Sequence, residues 1–140
     1  MDINDIGLPE QALSGVCYLE KDGEPLLDEN GDKIGFEFHS RDSREYMRAE
    51  LAIYRAGAKL KEEAEGKDPD EALLDTIEHN RWVDLTLLCS MFKRVHGDLK
   101  VDGKKITQAN CSKVFNRLPK EMFSKLSEYA KAEESFAVKP

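Results

Sequence analysis

DPDEALLDTIEHNRWVDLTLLCSMFKRV, Asp68 to Val95, is the stretch whose reading decides the fold. Asp68 caps a helix, Pro69 suits its first turn, and Glu71 stands where a capping-box partner belongs. Leu73, Leu74, Ile77, Trp82, Val83, Leu85, Leu87, Leu88, Met91, Phe92 and Val95 then supply the apolar positions, and Gly97 is a natural stop. A helix of that extent is roughly 40 Å long at 1.5 Å per residue. Its first half is amphipathic. From Trp82 to Phe92 it is apolar on nearly every side, so other helices, a partner chain or both must cover it. It is too short and too interrupted by charge to span a membrane.

On the N-terminal side, HSRDSREYMRAELAIYRAGAKLKEEAEG carries a second capping signal, Asp42 with Glu45. Tyr46, Met47, Leu51, Ile53, Tyr54, Ala58 and Leu60 keep helical spacing. Gly57 inside that pattern suits close approach of a neighbour, and Gly66 ends it. The brief link to Asp68 predicts an antiparallel helical hairpin over residues 40–97. Further upstream, Val16–Lys21, Glu24–Asp28 and Lys33–Phe38 are short runs separated by the hairpin signals Asp22-Gly23 and Asn30-Gly31. They predict an antiparallel meander over residues 14–39, with Ile34, Phe36 and Phe38 on the face that meets the helices. Pro25 keeps the middle run short. Residues 1–13 read as a flexible arm, mobile or loosely docked.

Beyond Gly97, a connection with a turn at Asp102-Gly103 leads to a third helix, capped by Thr107 and running to about Leu118. Pro119 breaks it and starts a fourth, from Lys120 to about Glu134, with Met122, Phe123, Leu126 and Tyr129 inward. Residues 98–136 therefore hold two short helices, and the last six residues fray, with Phe136 their anchor. The expectation is one domain over 1–140, α+β and mainly α: a small N-terminal meander on a helical hairpin, with two shorter C-terminal helices.

Hydrophobic residues make up 40% and charged residues 35% of the 140, with a formal net charge of −7, which fits a soluble globular chain. The start, MDINDIGLPEQ, lacks the basic and apolar blocks of a signal peptide. Cys17, Cys89 and Cys111 are odd in number and fit a reducing compartment. Residues 1–39 hold ten acidic and two basic side chains; residues 93–140 hold six acidic and eleven basic. An acidic front and a basic tail either attract, within a chain or between neighbours, or remain two solvated surfaces.

Chemistry is sparse. His39, His79 and His96 do not pair with another ligand at helical spacing, and CxxC, HExxH, GxSxG, P-loop and GxGxxG patterns are missing. A calcium loop counted from Asp28 fails, because its sixth and twelfth places hold Lys33 and His39. Cys89 reads as packing. Arg81-Trp82 suits an interface anchor, but an aromatic at helical spacing favours the core for Trp82. The basic tail, Lys93 to Lys125, is a weak nucleic-acid footprint on an acidic chain. No catalytic residue, metal or cofactor is expected.

The order of features resembles the tail assembly chaperones of long-tailed bacteriophages. A β-rich start with Asp-Gly turns leads to RDSREYMRAE (Arg41–Glu50), then a charged helix, then a helix with the single Trp82. Asp102-Gly103, a short helix, Leu118-Pro119, a final helix and a late Phe136 follow. The likeness runs from about Gly15 to Phe136. It implies a non-enzymatic protein of the host bacterial cytoplasm that binds the long helical tape measure protein and keeps it soluble, without remaining in the virion. It also implies a longer frameshifted form and contact with the tail tube protein, while the opposite-charge ends suit head-to-tail self-association. The residues expected to bind the client are Tyr46, Leu51, Tyr54, Trp82, Leu85, Leu88, Met91 and Phe92, in a groove between the hairpin helices. Two other readings compete: a head–tail connector or tail terminator, and a small nucleic-acid-binding regulator.

Overall fold

The long helix begins where its caps predict and stops four residues before Val95. In the computed structural model, which describes residues 13–136, α2 spans Pro69–Met91. The Asp68 carboxylate accepts from the backbone N–H groups of Asp70 and Glu71, and Pro69 occupies the first turn. Phe92 then turns to extended geometry, φ −59° and ψ 128°, with no loop between. Phe92–His96 is a strand, and Gly97, at φ +86°, follows it instead of stopping the helix.

That strand completes the main sheet. β1 (Ser14–Tyr18) pairs antiparallel with β4 (Gly35–His39), and β4 pairs antiparallel with β5 (Phe92–His96). Between β1 and β4 the chain forms a separate small hairpin of β2 (Glu20–Lys21) and β3 (Glu24–Pro25), extended by a bridge from Leu27 to Lys33. The expected meander is thus corrected: its middle run leaves the sheet, and the third strand arrives from beyond the helices. Asp22 and Gly23 both take positive φ, as the hairpin signal requires. The same device recurs at Asp102-Gly103, between β6 (Lys100–Val101) and β7 (Lys104–Lys105).

α1 covers Arg44–Glu63 and is capped by Ser43 instead of Asp42; the Ser43 hydroxyl accepts from the Tyr46 N–H at 3.2 Å. α3 is Cys111–Arg117, shorter than the Thr107 signal suggests, because Thr107–Asn110 form a turn in which the Asn110 amide bonds Thr107 and Lys105. α4 is Lys120–Lys131, and a 3-10 turn at Glu133–Phe136 follows. The described residues form a mainly α α+β fold.

One buried cluster joins these elements. Phe36 and Phe38 on β4, Leu88 and Met91 on α2, Phe115 on α3 and Leu126 on α4 are sealed from solvent, and Phe136 closes it. Ile34, Phe36 and Phe38 do share the core face. Phe115 is the hub, with ring centroids 5.3 Å from Phe36, 6.2 Å from Phe92 and 6.3 Å from Phe38.

Candidate binding surface

α1 and α2 pack on each other along most of α1. The inward positions of α1 are Tyr46, Ala49, Ile53, Gly57 and Leu60, at helical spacing, but only Ala49 is fully buried. Gly57 faces the His79 ring of α2. Met47, Leu51 and Tyr54 lie at i, i+4 and i+7 on another face and are exposed, Tyr54 at 77%. On α2, Leu88 and Met91 are buried in the core, and the same helical stripe runs back through Asp84 to Ile77 and Leu73. There it has left the core, so Leu73, Leu74 and Ile77 are exposed. The hairpin is an arm whose apolar face outruns the body that covers its base.

The expected site residues therefore separate. Leu51, Tyr54 and Trp82 are on the exposed arm. Trp82 is 39% exposed, with its ring 5.7 Å from that of His79, so it is not the core residue its spacing favoured. Tyr46 is half-buried at the base, its ring under the Arg41 guanidinium and its hydroxyl accepting from Arg41 at 3.4 Å. Leu85 is half-buried on the wall of a 410 Å³ cleft shared with Phe115, Leu118 and Phe123. Leu88, Met91 and Phe92 belong to the core and offer no surface to a partner, which corrects the expected groove. The physical reason is that α3 and α4 pack on that half of α2. Met47, Leu73, Leu74 and Ile77 are exposed as well; the sequence reading places all four on apolar helical faces without assigning them to the site.

The charged ends meet inside the chain. Glu37, on the central strand and 8% exposed, gathers Ser14 Oγ at 2.8 Å, His96 Nε2 at 2.7 Å, Lys93 Nζ at 3.3 Å and Arg94 Nε at 3.5 Å. A register shift between Glu37 and Phe38 inserts Lys93 as an extra residue on β5, and this bulge lets Lys93 and Arg94 both reach one carboxylate. Burial alone raises the pKa of Glu37, but hydrogen bonds from His96, Ser14 and Lys93 outweigh it and hold the group down at about 2. Lys125 also pairs with Glu20 at 2.9 Å. The Asp28 carboxylate accepts backbone N–H bonds from Asp98, Asn30 and Asp32, which holds its pKa low and ties its own turn to the one after β5. The Cys89 and Cys111 thiols share a hydrogen bond: acting as donor raises the pKa of Cys89, and accepting lowers that of Cys111.

Among the described residues, no three metal-ligating side chains converge, and no helix is long and apolar enough to cross a membrane. Comparison with protein families, curated proteins and solved structures finds no match to this chain.

Proposed function

We propose that this chain is a non-enzymatic assembly chaperone of a long-tailed bacteriophage, acting in the host cytoplasm on the tape measure protein. The observation that carries the reading is the arm. α1 is about 30 Å long at 1.5 Å per residue, and the hairpin presents Met47, Leu51, Tyr54, Leu73, Leu74, Ile77 and Trp82 to solvent between charged side chains. Isolated exposed apolar residues are ordinary, but seven on one two-helix element that buries so little of itself point to a partner. A long amphipathic client lies along such a surface by helix-in-groove contact, and a partly apolar, charge-flanked face gives an affinity weak enough for later displacement. The same surface suits self-association, and contact with the tail tube protein or a longer frameshifted form would extend it. Binding residues in this reading are Leu51, Tyr54 and Trp82 with the four newly found positions, and Leu85 at the adjoining cleft.

Co-expression with the long helical tape measure protein of the same genome tests it. The expected result is a client insoluble alone and soluble when co-purifying with this chain, with loss of the complex on Tyr54→Glu. An unchanged client and no complex would sink the proposal. The exposed arm also suits the connector reading, in which it is buried permanently between copies; a stable ring of fixed copy number in solution would favour that instead.

A further inference from the structure

The three-stranded sheet has two edges, and they are treated differently. The β1 edge is covered: the 3-10 turn lies against it, so closely that a methyl group on Gly15 would sit 2.8 Å from the Ser135 carbonyl and 2.5 Å from the Tyr129 hydroxyl. Among the described residues, the β5 edge faces no strand. Among the described residues, no backbone hydrogen bond outside the β4 ladder involves Lys93–His96. Beside this edge runs a cleft of 590 Å³, walled on its far side by Lys100 of β6, Lys105 of β7 and the segment that follows. That volume lies within the range of about 300–1,000 Å³ typical of ligand clefts.

The charge of the cleft is unusual for an acidic chain. Lys93, Arg94, Lys100 and Lys105 line it, with Asp98 the acid among the described lining residues, and Lys93 and Arg94 already pair with Glu37. Lys100 and Lys105 are partners across the β6–β7 ladder, and neither has an ion-pair partner among the described residues. Like charges directly opposite each other destabilise a strand pair, so this hairpin carries a repulsion that an anion between them would relieve. Half-buried Val95 and Leu99 supply apolar contact on the cleft wall.

We propose that the cleft receives an extended acidic segment of another protein, which adds to β5 as a fourth strand of the sheet. Strand addition satisfies the open N–H and C=O groups of β5, and alternate carboxylates meet the lysines while alternate apolar side chains meet Val95 and Leu99. A polyanion such as nucleic acid would answer the charge but not the strand edge. Lysines on an edge also serve to repel chance pairing; here they make the edge selective for an acidic strand. The inference rests on this cleft alone and is independent of the reading of the hairpin.

The test uses the full chain and a capped, dye-labelled peptide of alternating glutamate and valine, followed by fluorescence anisotropy, with amide hydrogen exchange on the complex. The expected result is saturable binding, slowed exchange at Lys93–His96, and affinity about tenfold or more lower in Lys100→Glu/Lys105→Glu, roughly 1.4 kcal/mol or more. Both lysines are exposed, and an unchanged melting curve confirms that the variant is folded. Three results would each overturn the proposal: no saturable binding, binding unchanged in the variant, or exchange at Lys93–His96 unaffected by the peptide. A thymidine oligonucleotide that binds as tightly as the peptide would overturn it too, and would assign the cleft to nucleic acid.

Discussion

Replacing Glu37 with Gln keeps the shape of the side chain and removes its charge. The depression from 4.5 to about 2 corresponds to roughly 3 kcal/mol at 1.36 kcal/mol per unit. Arg94, Lys93 and His96 are all partly exposed, so solvent screening reduces the expected cost to about 2 kcal/mol. The sign follows from linkage. A carboxylate whose folded pKa is lowered contributes fully above its unfolded value and loses that contribution as pH falls from about 4.5 toward about 2. Urea unfolding of wild type and Glu37→Gln at pH 7 and near pH 3 should therefore show a cost of about 2 kcal/mol at neutral pH and about half of it in acid. A cost that is the same at both pH values would refute the reasoning, because Glu37 would then act through packing or neutral hydrogen bonds. A cost below about 0.5 kcal/mol at pH 7 would show instead that the cations do not compensate its burial.

Phe115→Ala empties the centre of the aromatic cluster and should cost about 3–5 kcal/mol in chemical denaturation, enough to unfold a marginal domain. Gly15→Ala forces Tyr129 and the 3-10 turn away from β1; hydrogen exchange should rise at Ser135 and Phe136 before it rises elsewhere. Tyr54→Ser changes an exposed side chain, so stability should move by less than about 0.5 kcal/mol while client binding weakens. If instead it unfolds the hairpin, Tyr54 is structural and the arm is not a free surface. Emission from Trp82, the single tryptophan, should shift to the blue when the arm is covered by client and stay fixed when it is not.

Local chemistry was legible in the sequence wherever a residue type has one strong conformational use. Asp68 and Pro69 marked a helix start, Asp22-Gly23 and Asp102-Gly103 marked turns, and Leu118-Pro119 marked a break. The β4 face was legible because Ile34, Phe36 and Phe38 alternate. The strand at Phe92–His96 was not, because Phe92 and Val95 continue the helical apolar spacing and neither Gly nor Pro interrupts it. What ends the helix is a partner strand far away in the chain, β4, which local propensity does not contain. Glu37 was hidden for a related reason. Its alternation with Phe36 and Phe38 suggests a solvent-facing residue, whereas β4 is the central strand and cations from β5 fold over its outer face. Periodicity also assigned Leu73 and Ile77 to an apolar face correctly, but a face does not declare how much of its length is covered. The candidate surface depends on that length.

β4 ends at His39 and β5 begins at Phe92, and the two are hydrogen-bonded neighbours. Topologically, the arm is therefore a detour inserted into what would otherwise be a plain β-hairpin. Both its ends are rooted about 5 Å apart on adjacent strands. Its base is committed to the body through Tyr46, Leu88 and Met91, while Leu73, Leu74 and Ile77 on its outer turns are exposed. Reach is thus an independent parameter of this molecule. Removing about seven residues, two turns, from each of the facing outer ends of α1 and α2 shortens the arm by roughly 10 Å and leaves sheet register and core composition untouched. Lengthening by the same unit extends it. A protein built this way can be matched to partners of different dimensions by insertion and deletion at one tip, without any renegotiation of the fold that carries it.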